Sequence, residues 1–335
     1  MAIGSGLGSS AGWSAESSGY GIYSAPTKFA RHRSATINKT ATRPQGEGIQ
    51  AGTHAMLGSQ LVEAVTGGTG QVVLDIQSKG LGVLLNTLMG GTVTPTQQGA
   101  TAAYSAAFPV ADTYGKSMSF QVGLPQRGGT VTPATLKGTK VTQAAFSCSV
   151  DGILQGTFDL DAQAYENSTS LAAVSYSSGV NVFHGGQMTV KMGTYNSETA
   201  VTGVKSVSLT IARPHDASAY YAGATTAGTK SEPVLNGVTA ITGSIDVDFI
   251  NTADFHARAR DLSSTSMVLE WVGPVIASTY YETFRITVPM VFFTDPSSFG
   301  VGGREIVSSS FGFEARYDGT NSPCTITTIS TDTAL

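Results

Sequence analysis

The segment Phe-Gly-Phe-Glu-Ala-Arg-Tyr places Phe311, Phe313, Ala315 and Tyr317 at every second position, with Gly312, Glu314 and Arg316 between them. Side chains of a strand alternate between its two faces, so this period predicts a half-buried strand, closed by the turn Asp318-Gly319. The same period recurs along the chain. Asp159 and Asp161 share a face with Thr157 and Gln163. Asp246 and Asp248 share one with Thr242 and Ser244, while Ile245, Val247 and Phe249 point to the core. Strands are expected at Gln71–Gln77, Ser117–Leu124, Lys140–Val150, Thr157–Tyr165, Gln187–Met192, Lys205–Arg213, Val238–Ile250, Met267–Val272, Phe284–Val291, Ile306–Tyr317 and Thr325–Ile329. So many half-buried strands define the fold class: mainly β, an antiparallel barrel or sandwich.

Composition agrees. Charged residues are 13% of 335 and glycines number 40, against roughly 25% charged and 7% Gly in average soluble chains. Such a chain favours strands, turns and extended segments over helices. Two short helices are expected on the flanks. In Ser78–Gly91, Ser78 caps a face of Leu81, Leu84, Leu85 and Leu88, and Gly90-Gly91 ends it. In Thr252–Leu262, Asn251 caps and Phe255, Ala259 and Leu262 face inward. No fixed-period repeat and no linker is visible, which favours one body with an inserted elaboration within about 160–235.

Residues 1–70 show weak periodicity and read as an extended arm and loop, with a short strand near Thr27–Phe29. Up to residue 46 they hold Lys28, Arg31, Arg33, Lys39 and Arg43 against one acid, Glu16. Net charge over the whole chain is −4, so a basic arm precedes an acidic body. Residues 71–335 form that body. No run of 18 apolar residues exists and no basic-apolar leader opens the sequence, so neither membrane insertion nor secretion is expected. Outside an oxidising compartment, Cys148 and Cys324 are expected as buried free thiols, and the sequons at Asn38 and Asn167 as unused.

Motifs for catalysis are weak. Gly8-Ser9-Ser10-Ala11-Gly12 fits G-x-S-x-G but lies in Gly/Ser-rich sequence without an elbow. Gly115-Lys116-Ser117 resembles the end of a phosphate loop, yet Val110 stands where its first glycine belongs. The five histidines form no i, i+4 pair. No catalytic residue, metal site or cofactor is expected. The paired aspartates have three readings: a solvated sheet face, a wall that keeps phosphates from sticking, or calcium and glycosidase chemistry. The basic stretch 28–43 is either a solvated arm or an arm meeting the acidic body of another copy.

The order of features resembles the tail tube proteins (major tail proteins) of long-tailed bacteriophages. The opening GLGSSAGWSAESSGYGIYSAPTKF, then RPQGEGIQAG (43–52), is similar to that family's lead segment. GVKSVSLTIARP (203–214) with VTAITGSIDVDFINTADFHARARD (238–261) is similar to its paired strands and short helix. FRITVPMVFFTDPSSFGVGGREIVSSSFGFEARYDG (284–319) resembles its closing strands.

The resemblance implies six copies in a ring, with rings stacked into a hollow tube in the virion tail, assembled in the host cytoplasm. Double-stranded DNA and a tape-measure protein pass through it, while terminator and distal or baseplate proteins cap its ends. On this reading Asp159, Asp161, Asp246 and Asp248 face the lumen. Lys28, Arg31, Arg33, Lys39 and Arg43 reach an adjacent subunit. The rival is a receptor- or carbohydrate-binding β module of a virion fibre, presenting Tyr220-Tyr221 or Tyr280-Tyr281.

Overall fold

The computed structural model describes residues 5–223, 228–250, 254–294, 304 and 306–335. The first half of the chain carries β1 (Ser10–Ala15), β2 (Lys28–Ala30), β3 (His32–Thr42), β4 (Val65–Asp75), α1 (Gly82–Met89), β5 (Thr96–Gln97), β6 (Tyr104–Pro109), β7 (Met118–Pro125), β8 (Val131–Ser149), β9 (Gln155–Ala162) and β10 (Ala164–Glu166). The second carries β11 (Met188–Thr194), β12 (Ser197–Ala200), β13 (Val204–Ala212), β14 (Ala240–Asp248), α2 (His256–Arg260), β15 (Thr265–Ala277), β16 (Tyr280–Phe293), β17 (Ser308–Ala315) and β18 (Thr325–Ser330). The mainly β, antiparallel architecture read from the sequence is the one observed.

One run of elements occurs twice. In the first copy β1 pairs with β2 and β7, β3 with β4, β4 with β9, and β8 with β7, β9 and β10. In the second, β11 pairs with β12 and β15, β13 with β14, β14 with β17, and β16 with β15, β17 and β18. Each copy inserts its helix at the same point, between the hairpin β3–β4 or β13–β14 and the hairpin that follows. The copies meet where the C-terminal half of β8 pairs with β13. The β5–β6 hairpin belongs to the first copy alone, and β6 pairs with β18.

Registers match as well. Lys39 faces Gly68 in the first copy and Leu209 faces Gly243 in the second, and four residues later come Arg43-Pro44 and Arg213-Pro214. Both glycines are close approaches: a Cβ on Gly68 would lie 2.5 Å from Leu136 Cδ2, and one on Gly243 2.4 Å from the Phe313 ring.

Alternation builds the core. Phe158 and Leu160 of β9, Ile245 and Val247 of β14, and Phe311 and Phe313 of β17 are all buried. Aromatic contacts tie the layers: ring centroids lie 5.8 Å apart for Phe146 and Phe158, 5.7 Å for Phe146 and Phe284, and 5.8 Å for Phe255 with both Phe293 and Phe311. Phe249 and Tyr317, expected on the core side, are exposed because β14 ends at Asp248 and β17 at Ala315. The turn after β17 is held by Asp318, whose carboxylate accepts from the Thr320 and Asn321 N–H groups.

Helix α1 begins later than Ser78. Its N-cap is Leu81, and Ser78 is instead pinned to Asn181, exchanging bonds of 2.9 and 3.2 Å. Leu84, Leu85 and Leu88 are buried as expected. Gly90 ends the helix at φ 83°, where a Cβ would sit 2.3 Å from the Asp112 carbonyl oxygen. In α2, Phe255 and Ala259 are buried, but Leu262 lies past the helix and is exposed. The expected cap Asn251 lies outside the described residues.

The first 70 residues are more ordered than their sequence suggests. Strand β1 is covered on both faces, and Trp13 is fully buried against Phe120 at 6.4 Å. The loop from 43 to 64 matches the picture of an exposed segment. Cys148 and Cys324 are buried and free, and burial pushes the Cys324 thiol up to about 12.

Candidate functional site

The two aspartate pairs lie on strands distant in sequence, yet the fold sets them on one surface. Cross-strand partners in an antiparallel sheet point to the same side. Gln155 of β9 faces Ser147 of β8, which faces Ser208 of β13, then Ser244 of β14 and Gly312 of β17. One row along, Thr157, Ala145, Thr210, Thr242 and Glu314 align in the same order. Asp159 and Asp161 extend this face toward β4 and β3, opposite Gln71 and Thr69. Asp246 and Asp248 extend it toward β17, opposite Ser310 and Ser308. Helix α1 and the aromatic clusters lie on the other side, in the core. What remains is a broad wall of Ser, Thr, Gln and Asp without an aromatic residue among these positions.

Its carboxylates are partly neutralised. Lys230 pairs with Asp161, and Lys205 lies 2.7 Å from Asp248. Asp159 accepts a 2.7 Å bond from the Gln71 amide, and Asp246 accepts one from Ser206 Oγ. The wall is therefore polar and weakly acidic. Screened, paired charges of this kind exert little pull on a passing polyanion.

The five basic candidates behave differently from one another. Arg33 pairs with Asp75 at 2.6 Å, while Lys39 and Arg43 both hold Glu63, at 2.6 and 2.9 Å. These two cations hold Glu63 below the usual carboxylate range. Among the described residues neither Lys28 on β2 nor Arg31 after it is ion-paired. Arg31 instead lines an open groove of about 760 Å³ with His32, Ser9 and Tyr176.

A buried polar cluster joins the two copies and was not foreseen. Lys140, fully buried on β8, donates to the carbonyls of Thr113 (2.6 Å) and Lys116 (2.9 Å) and pairs with Glu232 of the 213–239 loop. Arg213 is buried and donates to Thr239 Oγ1 (2.7 Å) and to the Ala111 carbonyl. His215 bonds Thr113 Oγ1 at 2.9 Å, and burial, with help from Lys140 and Arg213, lowers its pKa to about 4. Nearby, Glu16 accepts from Ser117 and Ser119 hydroxyls and from the Gly21 and Gly138 N–H groups. Burial lowers the Lys140 pKa and raises that of Tyr20. Perturbed groups often mark catalysis. Here Lys140 has no solvent access and every contact is internal, so the cluster clamps loops. The sequence signal was available only as unusual lysines inside apolar strands.

Ser10 of the G-x-S-x-G match lies buried within β1 opposite Gly123, not at an elbow. Tyr220 is tied to β4 through a 3.3 Å bond to the Thr66 carbonyl, and Tyr280-Tyr281 open β16.

Repeated β units with a bare polar sheet face define a structural subunit, one that presents a surface rather than a pocket. The chain belongs to the phage tail tube proteins: that family's model matches residues 6–315. It is thus a structural protein of the bacteriophage virion tail. No curated protein matches the chain.

Proposed function

We propose that copies of this chain close a ring whose bore is lined by the polar face of the sheet β3-β4-β9-β8-β13-β14-β17, and that rings stack into the hollow tail tube. Double-stranded DNA and the tape-measure protein pass through the bore without catalysis by the wall. Terminator and distal or baseplate proteins complete the two ends. The observation that carries this reading is the union of both aspartate pairs on one continuous face rich in Ser, Thr and Gln, backed by the core. A wall with few unpaired cations holds no phosphate long enough to slow passage. Exposed segments of the first 70 residues, with Lys28, Arg31 and the 43–64 loop, supply contacts between subunits; the rings assemble in the host cytoplasm.

Electron microscopy of purified protein tests it: hollow tubes or rings are expected, with Asp159 and Asp246 on the inner wall of a reconstruction. A map that puts them on the outer surface would overturn the lumen assignment. Glycan binding by single chains, with no assembly, would favour the fibre module instead.

A further inference from the structure

Because the fold is doubled, each place in one internal copy has a counterpart in the other, and one counterpart lacks its occupant. We infer that a pocket beside α2 receives a carboxylate from outside the chain, and that the Glu47 side chain of another chain supplies it. The inference rests on the tube reading, in which chains meet, and names one contact between them.

Register fixes the correspondence. Trp13 faces Phe120, which faces Leu136, and in the second internal copy Met192 faces Met267, which faces Val288. Both then shift register at the same step, so that Met118 faces Thr139 and Thr265 faces Val291. A bulge shared at one step ties the alignment to single residues. Counting on from these pairs, Glu16 corresponds to Tyr195, Ser117 to Ser264, Ser119 to Ser266 and Gly115 to Leu262. The backbone agrees, since Gly115 and Leu262 both take positive φ, 71° and 48°.

In the first internal copy the place is full. Ser117 and Ser119 donate to the buried Glu16 carboxylate at 2.7 and 2.8 Å, and the Gly21 and Gly138 N–H groups donate at 2.9 Å each. Beside it Glu232 arrives from the 213–239 loop, accepting from the Gly115 N–H (2.6 Å) and pairing with Lys140. In the second internal copy both serines remain and the acid is gone. Tyr195, Ser264, Ser266 and Pro289 line an open pocket of about 360 Å³ there, with Arg258 of α2 as its one cation. Phe292 follows Val291 where Lys140 follows Thr139, so the positive charge comes from α2 instead. Among the described residues the Arg258 guanidinium makes no ion pair, and its Nε is buried without a partner. The Tyr195 and Ser264 hydroxyls make no bond among them either, while the Ser266 hydroxyl goes to Glu198 (2.5 Å). A buried donor without an acceptor is costly, and a carboxylate is the acceptor that fits a guanidinium fork.

The charges identify the donor. Among the described residues Glu47 is the one carboxylate side chain that accepts no hydrogen bond and joins no ion pair. It is exposed on the 43–64 loop, which follows Arg43-Pro44 as the 213–239 loop follows Arg213-Pro214. The later loop delivers its acid, Glu232, to the first internal copy at Gly115. The matching place for the earlier loop lies at Leu262, two residues from Ser264 and the pocket. An unpaired acid on one loop and an unpaired guanidinium at that loop's matching place are complementary, as a contact between two chains requires.

Charge exchange in the full chain tests the contact, with tube growth read by sedimentation and electron microscopy. Arg258→Glu and Glu47→Arg should each raise the protein concentration needed for tubes by about tenfold or more, and the two together should restore it. Melting curves of the single chains should stay unchanged, because neither side chain is bonded within them. As a second readout, Glu47→Cys combined with Ser264→Cys should give covalent oligomers on oxidation, absent from either variant alone. Normal tube growth by Arg258→Glu would overturn the pocket. Growth lost in Arg258→Glu but normal in Glu47→Arg, or single chains only from the oxidised double-cysteine variant, would overturn Glu47 as the occupant. A wild-type chain that forms no tube at all would sink the tube reading instead.

Discussion

Arg43 and Arg213 occupy the same place in two copies of one fold, and their surroundings differ. The loop after Arg213 folds back on the first copy, where Lys140, Thr113 and Ala111 receive it. The loop after Arg43 is bonded to itself and to the end of β3, through Glu63 and the Val62 N–H on the Pro44 carbonyl, and most of it is exposed. The first copy offers the second a docking surface within the chain, and nothing among the described residues offers the first copy the same. Equal topology therefore does not give equal environment.

The contrast can be broken at its strongest point first. Lys140→Ala would take the ammonium from the Glu232 carboxylate, which keeps the Gly115 N–H, and from the Thr113 and Lys116 carbonyls. A loss of about 3–5 kcal/mol is expected, as for other broken buried pairs, measured by urea denaturation. A loss below about 1 kcal/mol would mean that the second loop is held by other contacts. Trp13→Ala tests whether β1 is body or arm. A core aromatic costs about 3–5 kcal/mol, whereas an arm residue would cost almost nothing; the thermal midpoint decides.

Acid should loosen the second loop by a smaller amount. The His215 pKa in the folded chain is about 4, below the 6.5 of a free histidine. The unfolded chain therefore binds the extra proton first, and the stability contributed by neutral His215 is full above pH 6.5 and lost as pH falls toward about 4. His215→Gln should flatten that part of the stability profile, and an unchanged slope would assign the acid response to other groups. Least of all, Arg43→Ala should leave the melting curve of the single chain nearly unchanged, because its pair with Glu63 is exposed. In assembled rings the same change should weaken cohesion, readable as a lower salt concentration for disassembly. Equal insensitivity in both states would remove Arg43 from the proposed contact between subunits.

Which elements were legible follows from their burial. Strands with one face in the core, such as β9, β14 and β17, show period two because Phe158, Ile245 and Phe311 alternate with Asp159, Asp246 and Ser310. Strand β1 escaped notice because it is covered on both faces by small residues around Trp13. Strand β3 escaped because it is an edge, with only Ala35 and Ile37 packed on the core. The repeat was hidden because pairing constrains pattern and not identity; few shared residues beyond Arg-Pro and the glycines Gly68 and Gly243 sit in matching register. The aspartates were recognised as pairs, but their union needed the seam between β8 and β13.

The sequence alone determined that this chain would be strands with polar and apolar faces, because alternation is a local property of the backbone and survives without knowledge of partners. It also determined the resemblance to tail tubes. Only the tertiary structure decided which strands adjoin, that the unit is doubled, and that three of the basic candidates are already paired. Those are matters of hydrogen-bond partnership between residues far apart in sequence, which no local pattern encodes.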